Sequence, residues 1–427
     1  MKILVLGAGL VGGPIALDLA QDPKFEVTVA DINVGALQKL AHNQQIYAST
    51  PPLVHLSARP PVRPSAPPPV HSSARPPVRP SAPPPLRLST LHFDLNNPDS
   101  LTRLASGFDM VVNAVPGFMG FQTLKAIIEA GKNVVDIAFF IEDPFQLDEL
   151  AKKKGVTAIM DIGVAPGMCN VLIGYAHHLL DETERVEYYV GGLPEIREWP
   201  YEYKAVFSPI DVIEEYTRPA RYIENGHLIV KPALSDPELM DFPGVGTLES
   251  FNTDGLRSLA HTIKCPNMKE KTLRYPGHIE KMRLLRETGF FGYDPVEVQG
   301  QQVRPIDLTA KLLFPKWKLK EGEVDITVMK VIVEGKKSGE PVCYIWNLLD
   351  RYDPETRIHS MARTTGYTAT VALRMIADGL YTRKGISVPE FIGEQPECVE
   401  YMLRGLKERG VVYRECTNAR MHKCTDE

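Results

Sequence analysis

Met1-Lys-Ile-Leu-Val-Leu-Gly7-Ala-Gly9-Leu-Val-Gly12 opens the chain, and its reading decides the fold of the first half. Lys2 to Leu6 read as a short buried strand, and Pro14 to Ala20 read as a helix. Between them Gly7, Gly9 and Gly12 give the spacing that lets a strand turn sharply, admit a pyrophosphate and pack against the helix that follows. Leu10 and Val11 ride on the same turn, at a helix N-terminus whose free N–H groups favour phosphate. A second strand, Phe25 to Ala30, ends at Asp31, about 20 residues further on, where a carboxylate would hold a ribose 2′-hydroxyl. The context predicts a dinucleotide site. Asp31 would repel a 2′-phosphate, and Asn33 rather than an arginine follows it. The expected cofactor is therefore NAD, with NADP disfavoured.

Working outward, strands and helices alternate. A helix is expected over Gly35 to Gln44, and a strand over Leu91 to Phe93 that ends at Asp94, a neighbour for the adenine. Further strands are expected over Asp109 to Val115, Asn133 to Ile137 and Val156 to Asp161. Helices over Gly120 to Ala130 and Pro144 to Lys154 separate them. This alternation implies an α/β, Rossmann-type doubly wound parallel sheet, with ligands beyond the carboxyl ends of its strands. That rim would carry Gly7, Asp31, Asn113, Val115, Pro116, Asp136, Asp161, Gly163 and Pro166. The dinucleotide domain is placed at residues 1–165.

One segment breaks the pattern. Val54–Pro69 is repeated almost perfectly as Val70–Pro85, rich in proline and arginine and poor in bulky apolar residues. Such a stretch, at about 50–88, cannot build a packed core and is expected to be extended or disordered. It reads as a tolerated insertion, or as a docking arm for a proline-recognising or acidic partner. From about Thr183 the character changes. Val186 to Val190 read as a strand, and Asp325 to Val333 with Val342 to Leu348 flank a Gly335-Lys-Lys-Ser-Gly339 hairpin. A second, mixed α/β domain for substrate and dimerisation is expected at 183–350. A helical return to the first domain is expected at 351–415, including a helix over Arg363 to Leu380, and a frayed tail from Cys416.

The chain has 427 residues, enough for two domains, and a formal net charge of −5, which argues against nucleic-acid binding. No apolar run is long enough for a membrane span. A first strand that begins at Lys2 leaves no room for a cleavable signal. Six scattered cysteines fit reduced thiols in a cytoplasmic protein. His177-His178 lack an accompanying ligand cluster, so no metal is expected. Cys169 has no adjacent base and reads as a small buried thiol.

Three stretches are dense in chemistry. Asp161-Ile-Gly-Val-Ala-Pro-Gly-Met-Cys-Asn170 is a strand end, a turn and a helix start, where Asn170 would face cofactor or substrate. Gly246-Thr-Leu-Glu-Ser-Phe-Asn-Thr-Asp-Gly255 offers Asn252 and Thr253. Lys271-Thr-Leu-Arg-Tyr-Pro-Gly-His278 offers Arg274, whose fork suits a carboxylate, and Tyr275 and His278 as proton acceptors. On residues alone, an ordinary turn explains each stretch equally well.

These stretches, with GAGLVG at Gly7, YYVGGLP at Tyr188 and MARTTGY at Met361, make the chain resemble the saccharopine dehydrogenase-like family, and within it the lysine 6-dehydrogenases. The resemblance spans nearly the whole chain apart from the proline repeat and the last residues. It implies a nicotinamide-dependent dehydrogenase that acts on an amino-acid amine, built as a homodimer or a larger homo-oligomer. On this reading Arg274 would hold the substrate carboxylate and Asn252 and Thr253 its α-amino end or backbone, Asn170 and Tyr275 would also face the substrate, and Asp136, Asp161 and His278 are alternatives for the base. Ala114 to Gly120 and Val134 to Phe140 depart from the lysine 6-dehydrogenase pattern, and Phe139 and Phe140 would make the pocket more apolar. Saccharopine, a larger secondary amine, is the other substrate reading. A non-catalytic NAD-binding scaffold is the third.

Overall fold

The computed structural model describes residues 1–49, 86–205, 209–320 and 322–418. The proline repeat therefore lies outside the described residues. Strands β1 (Lys2–Leu6), β2 (Glu26–Asp31), β3 (Leu88–His92), β4 (Met110–Asn113), β5 (Asn133–Asp136) and β6 (Thr157–Ile159) align in the order β3-β2-β1-β4-β5-β6. All their pairings are parallel. This order crosses over beside β1, where the glycine turn emerges. Ile3 to Leu6 are fully buried because helices cover both sheet faces. Ile3 and Val5 pack with Ile15 and Leu19 of α1 (Gly12–Ala20) on one face, while Leu4 and Leu6 meet Leu124 and Ile127 on the other.

The boundaries differ from expectation in informative places. β3 begins at Leu88, inside the stretch read as the end of the insertion, because pairing with β2 organises it. The helix expected from Gly120 already starts at Gly117, directly after Pro116. The C-terminal return is not purely helical, since Gly385–Ser387 joins β6 as a seventh parallel strand. The tail is not frayed at its start: Tyr413–Asn418 pairs with Glu340–Arg351, and Cys416 is disulfide-bonded rather than reduced. Cys169, Cys265, Cys343 and Cys398 are free and buried.

The second sheet has nine strands and is mixed. Met268–Arg274 runs parallel to the long strand Glu182–Pro194, and Asp325–Lys337 and Glu340–Arg351 form the hairpin beside it. The helix Ser360–Ala377 then links the two sheets. Its first N–H groups, at Ser360 and Met361, donate to the Asp325 carboxylate at 2.7 and 3.1 Å, which caps the helix from the second sheet. Its other end reaches the dinucleotide domain, where Arg374 donates to Asp18 at 2.7 Å and Arg409 to the same carboxylate at 2.8 Å. Burial alone would raise the Asp18 carboxyl, but the two arginines outweigh it and hold it down at about 2. The two sheets are thereby tied, with a cleft between the carboxyl ends of β1–β6 and the strands of the second sheet. No helix among the described residues is long and apolar enough to cross a membrane.

Candidate active site

The cleft encloses about 810 Å³ and is lined from both domains. One half is built by local sequence. Gly7, Gly9, Leu10, Val11, Gly12, Asp31, Asp94, Val115, Pro116, Gly163 and Pro166 all line it. A Cβ at Gly12 would stand 2.1 Å from the Gly7 carbonyl oxygen, so no side chain fits where helix meets strand. A Cβ at Gly9 would meet no protein atom within 4 Å, which leaves open space above the backbone where a pyrophosphate would lie. Val11 caps α1 without any side-chain hydrogen bond, so the helix N-terminus is left to a ligand. Asp31 is fixed by two backbone donors, Ala8 N–H at 2.6 Å and Asn33 N–H at 2.7 Å, and presents its carboxylate at the cleft edge. These residues fit a dinucleotide: the glycines and the α1 N-terminus would hold the phosphates and Asp31 a ribose.

Several expected residues lie under the site rather than in it. Asp136 is fully buried, accepting from Asn113 Nδ2 at 2.8 Å and from Ala138 N–H at 2.7 Å, and burial pushes its carboxyl well above the usual range. Asn113 is buried with it. Neither lines the cleft, because side chains near a strand end alternate between rim and sheet face. Asn170 caps its own turn, accepting from Gly167 N–H at 3.2 Å and donating to Glu390 at 3.3 Å. Asn252 donates to Asp236 at 2.9 Å, and the Tyr275 hydroxyl to the Pro194 carbonyl at 2.9 Å. Phe140 is buried against Phe121, and only Phe139 of that pair reaches the cleft.

His278 is not placed to be a base. It is 1% exposed, and its Nδ1 meets the Tyr201 carbonyl, which can only accept, at 2.9 Å. Nε2 must then accept from the Tyr216 hydroxyl at 3.0 Å. Burial first, and then the Arg274 cation, push the imidazole down to about 3. Arg274 Nε in turn donates to the Tyr216 hydroxyl at 3.3 Å, so His278 positions Arg274 through Tyr216. Asp161 does line the cleft, but both of its oxygens accept from Arg257, each at 3.0 Å. Arg257 also donates to the Phe140 carbonyl at 2.7 Å and lies 4.4 Å over the Phe139 ring. Asp161 and Arg257 both sit at φ +51°, and together they clasp the two domains at the cleft wall.

The other half of the cleft comes from strand alternation and one helix. Glu270, Thr272 and Arg274 occupy every second position of Met268–Arg274 and share its cleft face. Thr253 and Asp254 follow the neighbouring strand Gly246–Asn252, while Asp211, Glu214 and Glu215 stand on helix Pro209–Thr217, followed by Arg218. Arg274 donates to Glu215 at 2.6 Å and to the Leu273 carbonyl at 2.9 Å, and stacks 4.6 Å over Tyr203. Arg218 pairs with Glu214, and Arg221 with Asp254 at 2.8 Å. Glu270 is 5% exposed and bonds to the Thr253 hydroxyl, with the Thr272 hydroxyl 3.5 Å away. Burial raises its carboxyl to about 8. Sequence reasoning missed Glu270, Glu214 and Glu215, since a lone glutamate on a strand or helix reads as a solvated face. The period-two spacing of Glu270 with Thr272 and Arg274 was the available signal. Among the described residues no group of three or more His, Cys, Asp or Glu side chains is placed to hold a metal.

Comparisons agree with this geometry. Residues 3–159 match the Saccharopine dehydrogenase NADP binding domain and residues 163–411 the Saccharopine dehydrogenase C-terminal domain. The chain is 24% identical over 333 residues to the mitochondrial alpha-aminoadipic semialdehyde synthase of Mus musculus, covering 71% of this chain but 30% of that protein. It is 25% identical over 334 residues to the carboxyaminopropylagmatine dehydrogenase of a Synechocystis strain, covering 73% of this chain and 80% of the relative. The structure of apo saccharopine dehydrogenase (L-Glu forming) from Saccharomyces cerevisiae superimposes with a TM-score of 0.73 at 17% identity, over 98% of this chain and 99% of that one. That likeness speaks for the fold. With both domains matched across the cleft, the chain belongs to the saccharopine dehydrogenase family.

Proposed function

We propose that this protein is an NAD-dependent dehydrogenase of the lysine 6-dehydrogenase type, which removes an amine from an amino acid that carries one carboxylate and a cationic end. The observation that carries this reading is the charge of the substrate half. Asp211, Glu214, Glu215, Asp254 and Glu270 line it; Arg218, Arg274 and Arg221 already pair with Glu214, Glu215 and Asp254, and burial holds Glu270 largely protonated near neutrality. A lining in which acids outnumber cations and both lining arginines are already paired has little to offer a ligand with several carboxylates, and favours one that carries an ammonium. The name of the Synechocystis relative, and that of the carboxynorspermidine synthase of Vibrio cholerae, join a carboxy group to a polyamine chain, which supports this charge pattern.

When bound, the nicotinamide supplies the hydride chemistry. This chain's residues do the rest. Arg274 is held by Glu215, Tyr216 and the Leu273 carbonyl, one bond from each guanidinium nitrogen; it lines the cleft with Thr253, and the remaining N–H groups of its terminal nitrogens would take the substrate carboxylate. Asp161 and Arg257 close the wall, and Phe139 excludes water beside them. The Asp31 carboxylate supports NAD, since no lysine or arginine among the described lining residues stands with it to accept a 2′-phosphate. The family description and a Pyricularia oryzae relative are NADP-linked by name, which makes the nucleotide preference a point to measure. Those names also favour saccharopine as the second reading. Incubation with NAD and L-lysine should release ammonia in step with NADH. Ammonia-free reduction that depends on saccharopine would replace the first reading by the second.

A further inference from the structure

Glu270, on the substrate side, bonds to hydroxyls and to the Gly255 backbone rather than to a cation. Its Oε2 accepts from Thr253, whose hydroxyl also meets that of Thr272 at 2.8 Å. Its Oε1 has the Thr272 hydroxyl at 3.5 Å, a length that leaves this oxygen nearly uncommitted. The group is buried in the cleft wall, paired across strands with Tyr188, and shares its strand's cleft face with Thr272 and Arg274. The three carboxyl and imidazole groups first considered for proton transfer are otherwise engaged: Asp136 lies under the sheet rim, Asp161 is held by Arg257, and His278 is walled in by Tyr201 and Tyr216.

On the functional reading above, we propose that Glu270 is the proton acceptor for the substrate ammonium. The N–H bond of R–CH2–NH3⁺ breaks and its proton passes to Glu270 Oε1. The lone pair freed on nitrogen then forms the C=N bond as hydride leaves the same carbon for the oxidised nicotinamide nucleotide. The carbon is oxidised, the nucleotide is reduced, and water converts the protonated imine to an aldehyde and ammonium. Glu270 returns its proton to solvent.

The surroundings suit a carboxyl that exchanges a proton in the working range. Burial raises it to about 8, with Glu215 from helix Pro209–Thr217 and Asp254 from the turn after Gly246–Asn252 adding repulsion, while the Thr253 hydroxyl opposes them. Cys169, from helix Met168–Leu179, and Tyr188, from strand Glu182–Pro194, also face it, and burial raises both well above their usual range, so neither competes for the proton.

The test is the pH dependence of kcat for L-lysine and saturating NAD in the wild type, Glu270→Gln and Thr253→Val. The wild type should gain rate through a limb near pH 8. Glu270→Gln should lose that limb and about 10²–10⁴-fold in kcat, with NAD binding by fluorescence unchanged. Thr253→Val should move the limb to higher pH, because it removes the bond that favours the ionised carboxylate. A Glu270→Gln enzyme that keeps both its rate and its limb overturns the assignment while the functional reading stands. A wild type that turns over neither lysine nor any other primary amine overturns the functional reading and the assignment with it.

Discussion

The two halves of the cleft are built by opposite strategies. The nucleotide half is built around backbone: glycines, a helix N-terminus and one carboxylate within the first 31 residues form a strand-turn-helix-strand unit, and Asp94, Val115, Pro116, Gly163 and Pro166 complete its rim. The substrate half is made of side chains that meet from residues 211 to 274, and its charges are paired across elements, as in Arg274–Glu215 and Arg221–Asp254. Substitutions in the first half should therefore act through space and packing. Those in the second should act through charge and proton position.

The sharpest separation is expected from Glu270→Gln, which should cost orders of magnitude in turnover and leave nucleotide affinity alone. Its stability signature has the opposite sense to that of an ordinary salt-bridged acid. Because the folded carboxyl is raised from 4.5 to about 8, its contribution to stability is fully present below pH 4.5 and is lost as pH rises through about 8. The difference in denaturant midpoint between wild type and Glu270→Gln, followed across that window, should change accordingly. A flat difference would show that the carboxyl titrates normally.

Arg274→Ala should come next. It removes the substrate fork and leaves Glu215 without its cation in a largely buried setting, at a cost of about 3 kcal/mol in stability. KM for the amine should rise steeply while NAD binding persists. Unchanged KM would remove Arg274 from the substrate. Gly12→Ala then probes the other half: a methyl 2.1 Å from the Gly7 carbonyl must displace backbone, which destabilises by about 1–3 kcal/mol and weakens the nucleotide site. Gly9→Ala is its control. With no protein atom near the added methyl, thermal stability should hold while NAD affinity falls. If both glycine variants lost stability equally, the open space over Gly9 would not be a ligand cradle. The smallest effect expected is at Asp31→Ser, which should shift the ratio of NAD to NADP affinity about tenfold toward NADP, about 1.4 kcal/mol.

The same division explains what could be read from the sequence. The alternation of strands and helices that implies a parallel sheet, and the strand-turn-helix-strand unit from Lys2 to Asp31, were legible because local periodicity and turn chemistry mark them. Arg274 and Thr253, which line the cleft, drew notice because they sit in short distinctive stretches. Asp136 and Asn113 were misplaced by a fraction of a strand, since adjacent residues at a strand end face opposite ways. His278 was read as a free imidazole because the residues that enclose it, Tyr201 and Tyr216, lie more than sixty positions away. Glu270 was missed for the same reason, as its burial depends on Thr253, Gly255 and the strand that carries Tyr188. The strand Gly385–Ser387 could not be foreseen either: a three-residue strand carries almost no periodic signal, and pairing with β6 alone organises it.

The most direct test of the central claim, an acid-rich cleft that selects an amine with a lone carboxylate, is the ratio of kcat/KM for L-lysine to that for saccharopine at saturating NAD. The charge pattern predicts a ratio well above one, falling when Glu214 and Asp254 are replaced by glutamine and asparagine. A ratio below one that those replacements leave unchanged would contradict it.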